Sequence, residues 1–166
     1  MRTIHYMSMS ADGRVLEADA ANPIPPAILE HLVARVAEAG AMLVGRRTYD
    51  LLRGLGAIGA MPGVVVVLSQ SLSRADDAQV AATPQAALDL LAKAGVASVV
   101  VAGGPQTYAA FRAAGALDEL YLNIAPVLLG AGLQVSTDGP GFLPLELASS
   151  QTLSGGVVQL HYVRAG

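Results

Sequence analysis

The stretch SVVVAGGPQTYAAF, residues 98–111, decides the fold class because it changes from a strand pattern to a helix pattern within two residues. Its first half is a run of β-branched residues, typical of a strand buried on both faces of a parallel sheet. Gly103 and Gly104 follow, and Pro105 then stands where helices favour proline, in the first turn. Two explanations of the glycine pair stay open here: a tight strand-to-helix turn, or close approach of a phosphate to the backbone.

The same alternation of strand and helix extends over the rest of the chain. Apolar periodicity predicts strands at residues 2–9, 41–45 and 63–69, and helices at residues 26–40 and 84–95. The helix at 84–95 has a good N-cap in Thr83, and Gly155-Gly156 predicts a two-residue turn in a C-terminal hairpin. We therefore expect one α/β domain, residues 1–166, with a mostly parallel sheet and antiparallel strands at one edge.

Composition excludes several classes of function. The chain has no cysteine, which excludes disulfides and Cys-ligated metals, and its three histidines lack metal-ligand spacing, so we expect no metal site. A net charge of −3 without a basic stripe argues against nucleic-acid binding. No apolar run approaches the roughly 18–20 residues of a membrane span, and from the polar pattern of the first residues we expect no signal peptide. We expect a cytoplasmic protein that binds neither nucleic acid nor membrane.

Candidate binding residues follow predicted strands. Two arginines in a first helical turn oppose the helix dipole, and this arrangement makes better sense if an anion binds there. A hydroxyl-rich loop after the strand at 63–69 either binds a ribose phosphate or is an ordinary polar loop. Because ligands bind beyond the carboxyl ends of parallel strands, we treat these residues as one site. They are Gly45, Arg46, Arg47, Thr48, Ser69 and Ser71.

Carboxylates are the candidates for general acid chemistry, which needs an acid in a cleft with a raised pKa. The sequence offers Asp12, Asp19, Glu30 and Asp50, and it does not rank them by burial. We predict Asp12 and Glu30 as the catalytic pair. No motif indicates a nucleophilic serine.

Five segments in order resemble the dihydrofolate reductase-like fold family, most closely its riboflavin-biosynthesis reductase branch, the 5-amino-6-(5-phosphoribosylamino)uracil reductases and their stand-alone relatives. The resemblance covers nearly the whole chain and implies a three-layer fold with helices on both faces of the sheet. The segments are MSMSADGRV (7–15), MLVGRRTYD (42–50), VVVVLSQSL (64–72), VVVAGGPQTYAAF (99–111) and LDELYLNIAPVLLGAG (117–132).

The resemblance implies an NADPH-dependent reductase that transfers hydride to a small heterocyclic substrate, and it implies a homodimer. By analogy, the loop at residues 10–13 lies near the nicotinamide, Arg46, Arg47 and Thr48 contact the phosphates, including the ribose 2′-phosphate, and Ser69 and Ser71 line the adenosine end. The residues that it assigns to the pyrophosphate region are Gly103, Gly104, Gln106 and Thr107.

Two positions depart from the family pattern. Leu29 stands where true dihydrofolate reductases carry a carboxylate, and Ala102 stands where the riboflavin branch often carries an acid. Glu30 is one residue from the first position, which on a helix turns its side chain by roughly 100°. Two alternatives to the leading hypothesis therefore stay open: a non-catalytic nucleotide-binding module of the same fold, and a dihydrofolate reductase. A purely structural oligomerisation domain is the last in rank.

Overall fold

Eight strands form one sheet in the computed structural model, which describes residues 1–16, 24–135, 139 and 141–166. The strands are β1 (Arg2–Ser10), β2 (Ala41–Gly45), β3 (Val64–Leu68), β4 (Gln79–Ala81), β5 (Ser98–Val101), β6 (Glu119–Ala125), β7 (Leu145–Thr152) and β8 (Val158–Arg164). The helices are α1 (Pro26–Ala39), α2 (Arg46–Gly54), α3 (Pro84–Lys93) and α4 (Pro105–Ala113). Short 3₁₀ turns lie at Ile58–Ala60 and Ser154–Gly156.

The sheet order is β4-β3-β2-β5-β1-β6-β8-β7. Strands β1 to β6 run parallel, β8 is antiparallel to β6, and β7 is antiparallel to β8. This confirms the predicted α/β fold with antiparallel strands at one edge. Strands β2, β5 and β1 are parallel neighbours in the sheet, so their carboxyl ends lie side by side at one edge.

Helices cover both faces of the sheet, as the resemblance implied. Helices α1 and α2 pack on one face through Ile28, Leu32, Val36, Tyr49 and Leu52. Helices α3 and α4 pack on the other through Ala87, Leu91, Tyr108 and Phe111. The buried valines of β2, β3 and β5 lie between these layers, which explains their continuous apolar sequence.

Local signals fix the helix ends where the sequence predicted them. The Thr83 hydroxyl accepts a hydrogen bond from the Ala86 backbone N–H at 3.2 Å and caps α3. Helix α1 begins at Pro26 and ends before Gly40, whose φ of 84° is the left-handed conformation that favours glycine.

Two elements differ from the predictions. Strand β4 was not predicted, because a three-residue edge strand has too few positions to show a period. The connection between β7 and β8 is longer than the two-residue turn predicted at Gly155-Gly156. It spans residues 153–157, and the Leu153 N–H donates to the Val157 carbonyl at 2.8 Å. In the part of the chain that is described, no helix is both long and apolar enough to cross a membrane.

Candidate active site

A cleft of about 140 Å³ lies outside the carboxyl ends of β1 and β5, between α1, α2 and the start of α4. Helix α1 supplies one wall, helix α2 supplies a second, and the segments around Val15 and Val135 complete it. The lining is mostly apolar and includes Val15, Leu16, Ile24, Ile28, Leu29, Leu32, Leu51, Leu52, Ala102 and Val135. Concave, mostly apolar clefts with a few polar groups are the usual form of small-molecule binding sites.

Two tyrosines in the cleft have their hydroxyls committed to backbone carbonyls. Tyr6 Oη donates to the Ile28 carbonyl at 2.8 Å, and Tyr108 Oη donates to the Tyr6 carbonyl at 2.6 Å. Burial raises the pKa of both phenols. Neither is therefore a ready source of protons near neutral pH.

The two glycines of the opening motif have different physical roles. A Cβ at Gly103 would lie 2.6 Å from the Gly45 backbone nitrogen and 2.9 Å from Val44 Cα, so this position lets the turns after β5 and β2 pack together. Gly104 has a φ of 48° and a ψ of 149°, which favour glycine, and it lines the cleft. A Cβ there would meet no atom closer than Thr48 Oγ1, at 4.0 Å. Both explanations of the glycine pair thus have a place: Gly103 serves packing, and Gly104 leaves the approach to the backbone open.

The N-termini of α2 and α4 lie next to each other at this point. Their N-caps are Gly45 and Gly104, and neither helix has a side-chain cap. The first backbone N–H groups of a helix lack intrahelical acceptors and carry partial positive charge. Two such ends at the mouth of one cleft suit a diphosphate, and any side chain at Gly104 would intrude on that approach.

The two arginines of α2 differ in what they contact. Arg46 Nε lies 2.8 and 2.7 Å from the two carboxylate oxygens of Asp50, an exposed i,i+4 ion pair. Arg47 is exposed and makes no ion pair with any described residue. Thr48 lines the cleft beside Gly104. The arrangement therefore leaves Arg47, rather than Arg46, free for an incoming anion.

The remaining predicted binding residues differ in their exposure and in their contacts. Ser69 Oγ accepts a hydrogen bond from the Leu72 N–H at 3.0 Å and so folds the loop after β3, while Ser71 is exposed on that loop. Gln106 is exposed in the first turn of α4. Thr107 is 5% exposed and packs its hydroxyl against Gly45, so its side chain joins the two turns rather than opening to the cleft.

Neither predicted catalytic carboxylate, Asp12 or Glu30, lines the cleft. Asp12 accepts hydrogen bonds from Ser10 Oγ (2.5 Å) and from the backbone N–H groups of Gly130 (2.8 Å) and Leu129 (3.1 Å). These bonds lower the pKa of Asp12 to about 2, so it is ionised at neutral pH. Glu30 is exposed and does not line the cleft, whereas Leu29 does. Because neighbouring residues on a helix point roughly 100° apart, Glu30 faces away from the cleft that Leu29 lines.

No carboxylate lines the cleft among the described residues. Asp50 is paired with Arg46, and Asp19 lies outside the described residues. No group of three or more metal-ligating side chains occurs in the described segments either. The described residues thus combine an apolar lining with neighbouring helix N-termini, and they contribute no carboxylate to the lining.

Sequence reasoning missed the polar residues on β1 that face the cleft. Tyr6 and Ser8 line it, and the period of two along a strand places them on one face. The alternation along the predicted strand could therefore have placed both residues on the cleft side from the sequence alone. By contrast, the link between Asp12 and the segment at residues 129–130 joins positions 117 and 118 residues apart, which no local pattern shows.

Comparison with known proteins decides the family. The family model of the RibD C-terminal domain matches residues 3–159. The chain belongs to the RibD C-terminal domain family. A curated member, riboflavin biosynthesis protein RibD from Bacillus amyloliquefaciens, is 43% identical over 56 residues, which are 33% of this chain and 15% of that protein. The match thus spans a small part of the relative's length.

Several solved structures share the fold of this chain. A structure from Shewanella sp. PV-4 has a TM-score of 0.83 at 20% identity, with all of both chains covered. A pyrimidine reductase-like protein from Corynebacterium diphtheriae has a TM-score of 0.78 at 15% identity, covering 99% of this chain and 92% of that one. The diaminohydroxyphosphoribosylaminopyrimidine deaminase/5-amino-6-(5-phosphoribosylamino)uracil reductase from Thermotoga maritima has a TM-score of 0.74 at 15% identity, covering 99% and 56%.

Proposed function

We propose that this RibD C-terminal domain is an NADPH-dependent reductase that transfers hydride to a small heterocyclic substrate. The first candidate substrate is the aminouracil named for the Thermotoga maritima relative. The observation that carries the proposal is the meeting of two uncapped helix N-termini, at Gly45 and Gly104, at the mouth of an apolar cleft.

The residues present fit a dinucleotide. The backbone N–H groups of Gly104 and Gln106 and the Thr48 hydroxyl would hold its pyrophosphate, because Pro105 has no N–H and the Thr107 N–H donates to the Gly104 carbonyl at 3.1 Å. Arg47 would pair with the ribose 2′-phosphate, which favours NADPH over NADH. Ser69 and Ser71 would lie towards the adenosine end. When bound, NADPH supplies the hydride.

The chain's own residues orient the ring and keep the cleft dry. Leu29, Leu32 and Leu51 present an apolar wall to the reacting ring, which strengthens electrostatic interactions inside the cleft. With no described carboxylate in the lining and both tyrosine hydroxyls committed, we assign the proton to water at the cleft mouth. Leu29 in the lining also disfavours the dihydrofolate reductase alternative, because a carboxylate is expected at that position.

A spectrophotometric assay tests the proposed function. NADPH oxidation should require the aminouracil and fail with dihydrofolate. Arg47→Ala should raise the KM for NADPH, and Lys93→Ala, which removes an exposed cation in the last turn of α3, should not. NADPH binding without turnover on any heterocycle would support the non-catalytic module instead. Absence of NADPH binding would overturn the proposal altogether.

We also propose a homodimer, supported by an apolar patch on the sheet. Cross-strand register places Leu120, Tyr162 and Leu147 in one row, and Leu122 and Leu160 in the next. Leu147 is 56% exposed and the other four are partly exposed. Sedimentation equilibrium should give twice the chain mass, and Leu147→Lys should shift it towards the monomer. A monomeric wild type would contradict this.

A further inference from the structure

Ser8 is a polar side chain in an otherwise apolar part of the cleft. It lies on β1 two residues after Tyr6 and lines the cleft with it, among Val15, Leu16 and Ile28. Thr48, another hydroxyl in the lining, lies beside Gly104 and the helix N-termini. Ser8 therefore lies among the apolar residues of the cleft, whereas Thr48 lies at the end near the helix N-termini.

A buried chain of amides fixes the direction of hydrogen bonding at Ser8. Asn123, which is fully buried, donates from Nδ2 to the Met7 carbonyl at 2.9 Å. A backbone carbonyl only accepts, so Nδ2 must face it, and Oδ1 of Asn123 then accepts from Gln159 Nε2 at 2.7 Å. The second N–H of Nδ2 lies 3.4 Å from Ser8 Oγ. Gln159 is 1% exposed and its own oxygen accepts from Gln151, so the amides cannot reverse without losing bonds.

Asn123 Nδ2 also contacts the Tyr6 hydroxyl, and because an amide nitrogen cannot accept a hydrogen bond, the O–H of Ser8 is left to donate. Within the described part of the chain, Ser8 Oγ has no other hydrogen-bond partner. A hydroxyl carries one donor and two acceptor positions, and the tyrosine hydroxyls nearby are already committed. The cleft thus offers one directed donor on the β1 wall.

We propose that Ser8 is the residue that binds the substrate ring through a hydrogen-bond acceptor, a carbonyl oxygen or a ring nitrogen. The proposal rests on the proposed function and adds to it the residue that recognises the edge of the substrate ring. Asn123 is the positioning residue, because its N–H holds the Ser8 oxygen and leaves the O–H for the ligand.

Binding of uracil to the NADPH-loaded protein, followed by NMR titration, tests this without requiring turnover. Ser8→Ala should weaken uracil binding roughly three- to tenfold, the usual range for one neutral hydrogen bond. Ser8→Thr should restore it because the hydroxyl returns. Toluene, a ring without an acceptor, should bind wild type and Ser8→Ala alike. Ser154→Ala, an exposed serine in the β7–β8 connection, is the matched control.

The outcomes separate this inference from the proposed function. Failure of the wild type to bind NADPH would remove the proposed function. If NADPH binds but uracil does not, or binds wild type and Ser8→Ala equally, the assignment of Ser8 is overturned. An equal loss of toluene and uracil binding would also overturn it, since the effect would then be one of shape. A change in NADPH affinity alone in Ser8→Ala would assign the hydroxyl to the cofactor and refute the inference.

Discussion

Replacing Gly103 by alanine should destabilise the fold, because the space for a Cβ is occupied by backbone. The new carbon would lie 2.6 Å from the Gly45 nitrogen and 2.9 Å from Val44 Cα. Neither atom belongs to a flexible side chain, so the turns after β2 and β5 must separate. Overpacking of this kind costs about 1–3 kcal/mol or more. For a chain of this size that corresponds to a fall in Tm of about 2–4 °C for each kcal/mol.

Urea unfolding and thermal scans of matched glycine variants measure this effect. Gly54→Ala is the control, because it lies at the end of α2 and a Cβ there meets no atom within 4 Å. Gly104→Ala has room as well, but its φ of 48° adds strain of order 1–3 kcal/mol. If Gly103→Ala unfolds at the same urea concentration as Gly54→Ala, the assignment of Gly103 to close packing is refuted.

Three further predictions concern titratable residues. Burial lowers the pKa of His5 to about 4, so the folded protein disfavours the protonated imidazole. The free energy of unfolding should be highest above pH 6.5, the ordinary pKa of histidine, and should fall by on the order of 3 kcal/mol as the pH is lowered from 6.5 to about 4. His5→Leu should flatten this slope in urea unfolding measured across that pH range. Asp12→Asn should leave the pH profile of kcat unchanged near neutrality, because a carboxyl with a pKa of about 2 is not the proton donor; loss of a limb from that profile would contradict the assignment. Glu30→Ala should change kcat/KM by less than about twofold, as expected for an exposed residue outside the cleft, and a large fall in steady-state assays would restore Glu30 as a catalytic candidate.

Most of the fold follows from local sequence signals. The predicted strand at residues 41–45 has the same bounds as β2, and the Thr83-Pro84 pair begins α3 as predicted. These signals work because apolar period, capping and proline placement act within a few residues. Strand β4 and the length of the β7–β8 connection depend on neighbouring strands, so local patterns missed them.

The candidate site was only partly predictable. Arg46 and Asp50 are four residues apart on a helix, so their ion pair could have been expected and would have singled out Arg47. The difference between Gly103 and Gly104 could not, because it depends on how closely the backbone of β2 approaches. The hydrogen bonds of Asp12 were equally hidden, since its backbone partners belong to a distant loop that lies beside it only in the folded chain.

The central claim is that the paired helix N-termini at Gly45 and Gly104 hold a dinucleotide phosphate, and calorimetric titration with NADPH tests it most directly. We predict saturable binding by the wild type, weakened about tenfold or more in Arg47→Ala, since a charge-assisted hydrogen bond contributes about 1.5–3 kcal/mol. Arg46→Ala should have a smaller effect, because Asp50 already holds that side chain. No saturable heat with the wild type, or equal affinity of wild type and Arg47→Ala, would contradict the account.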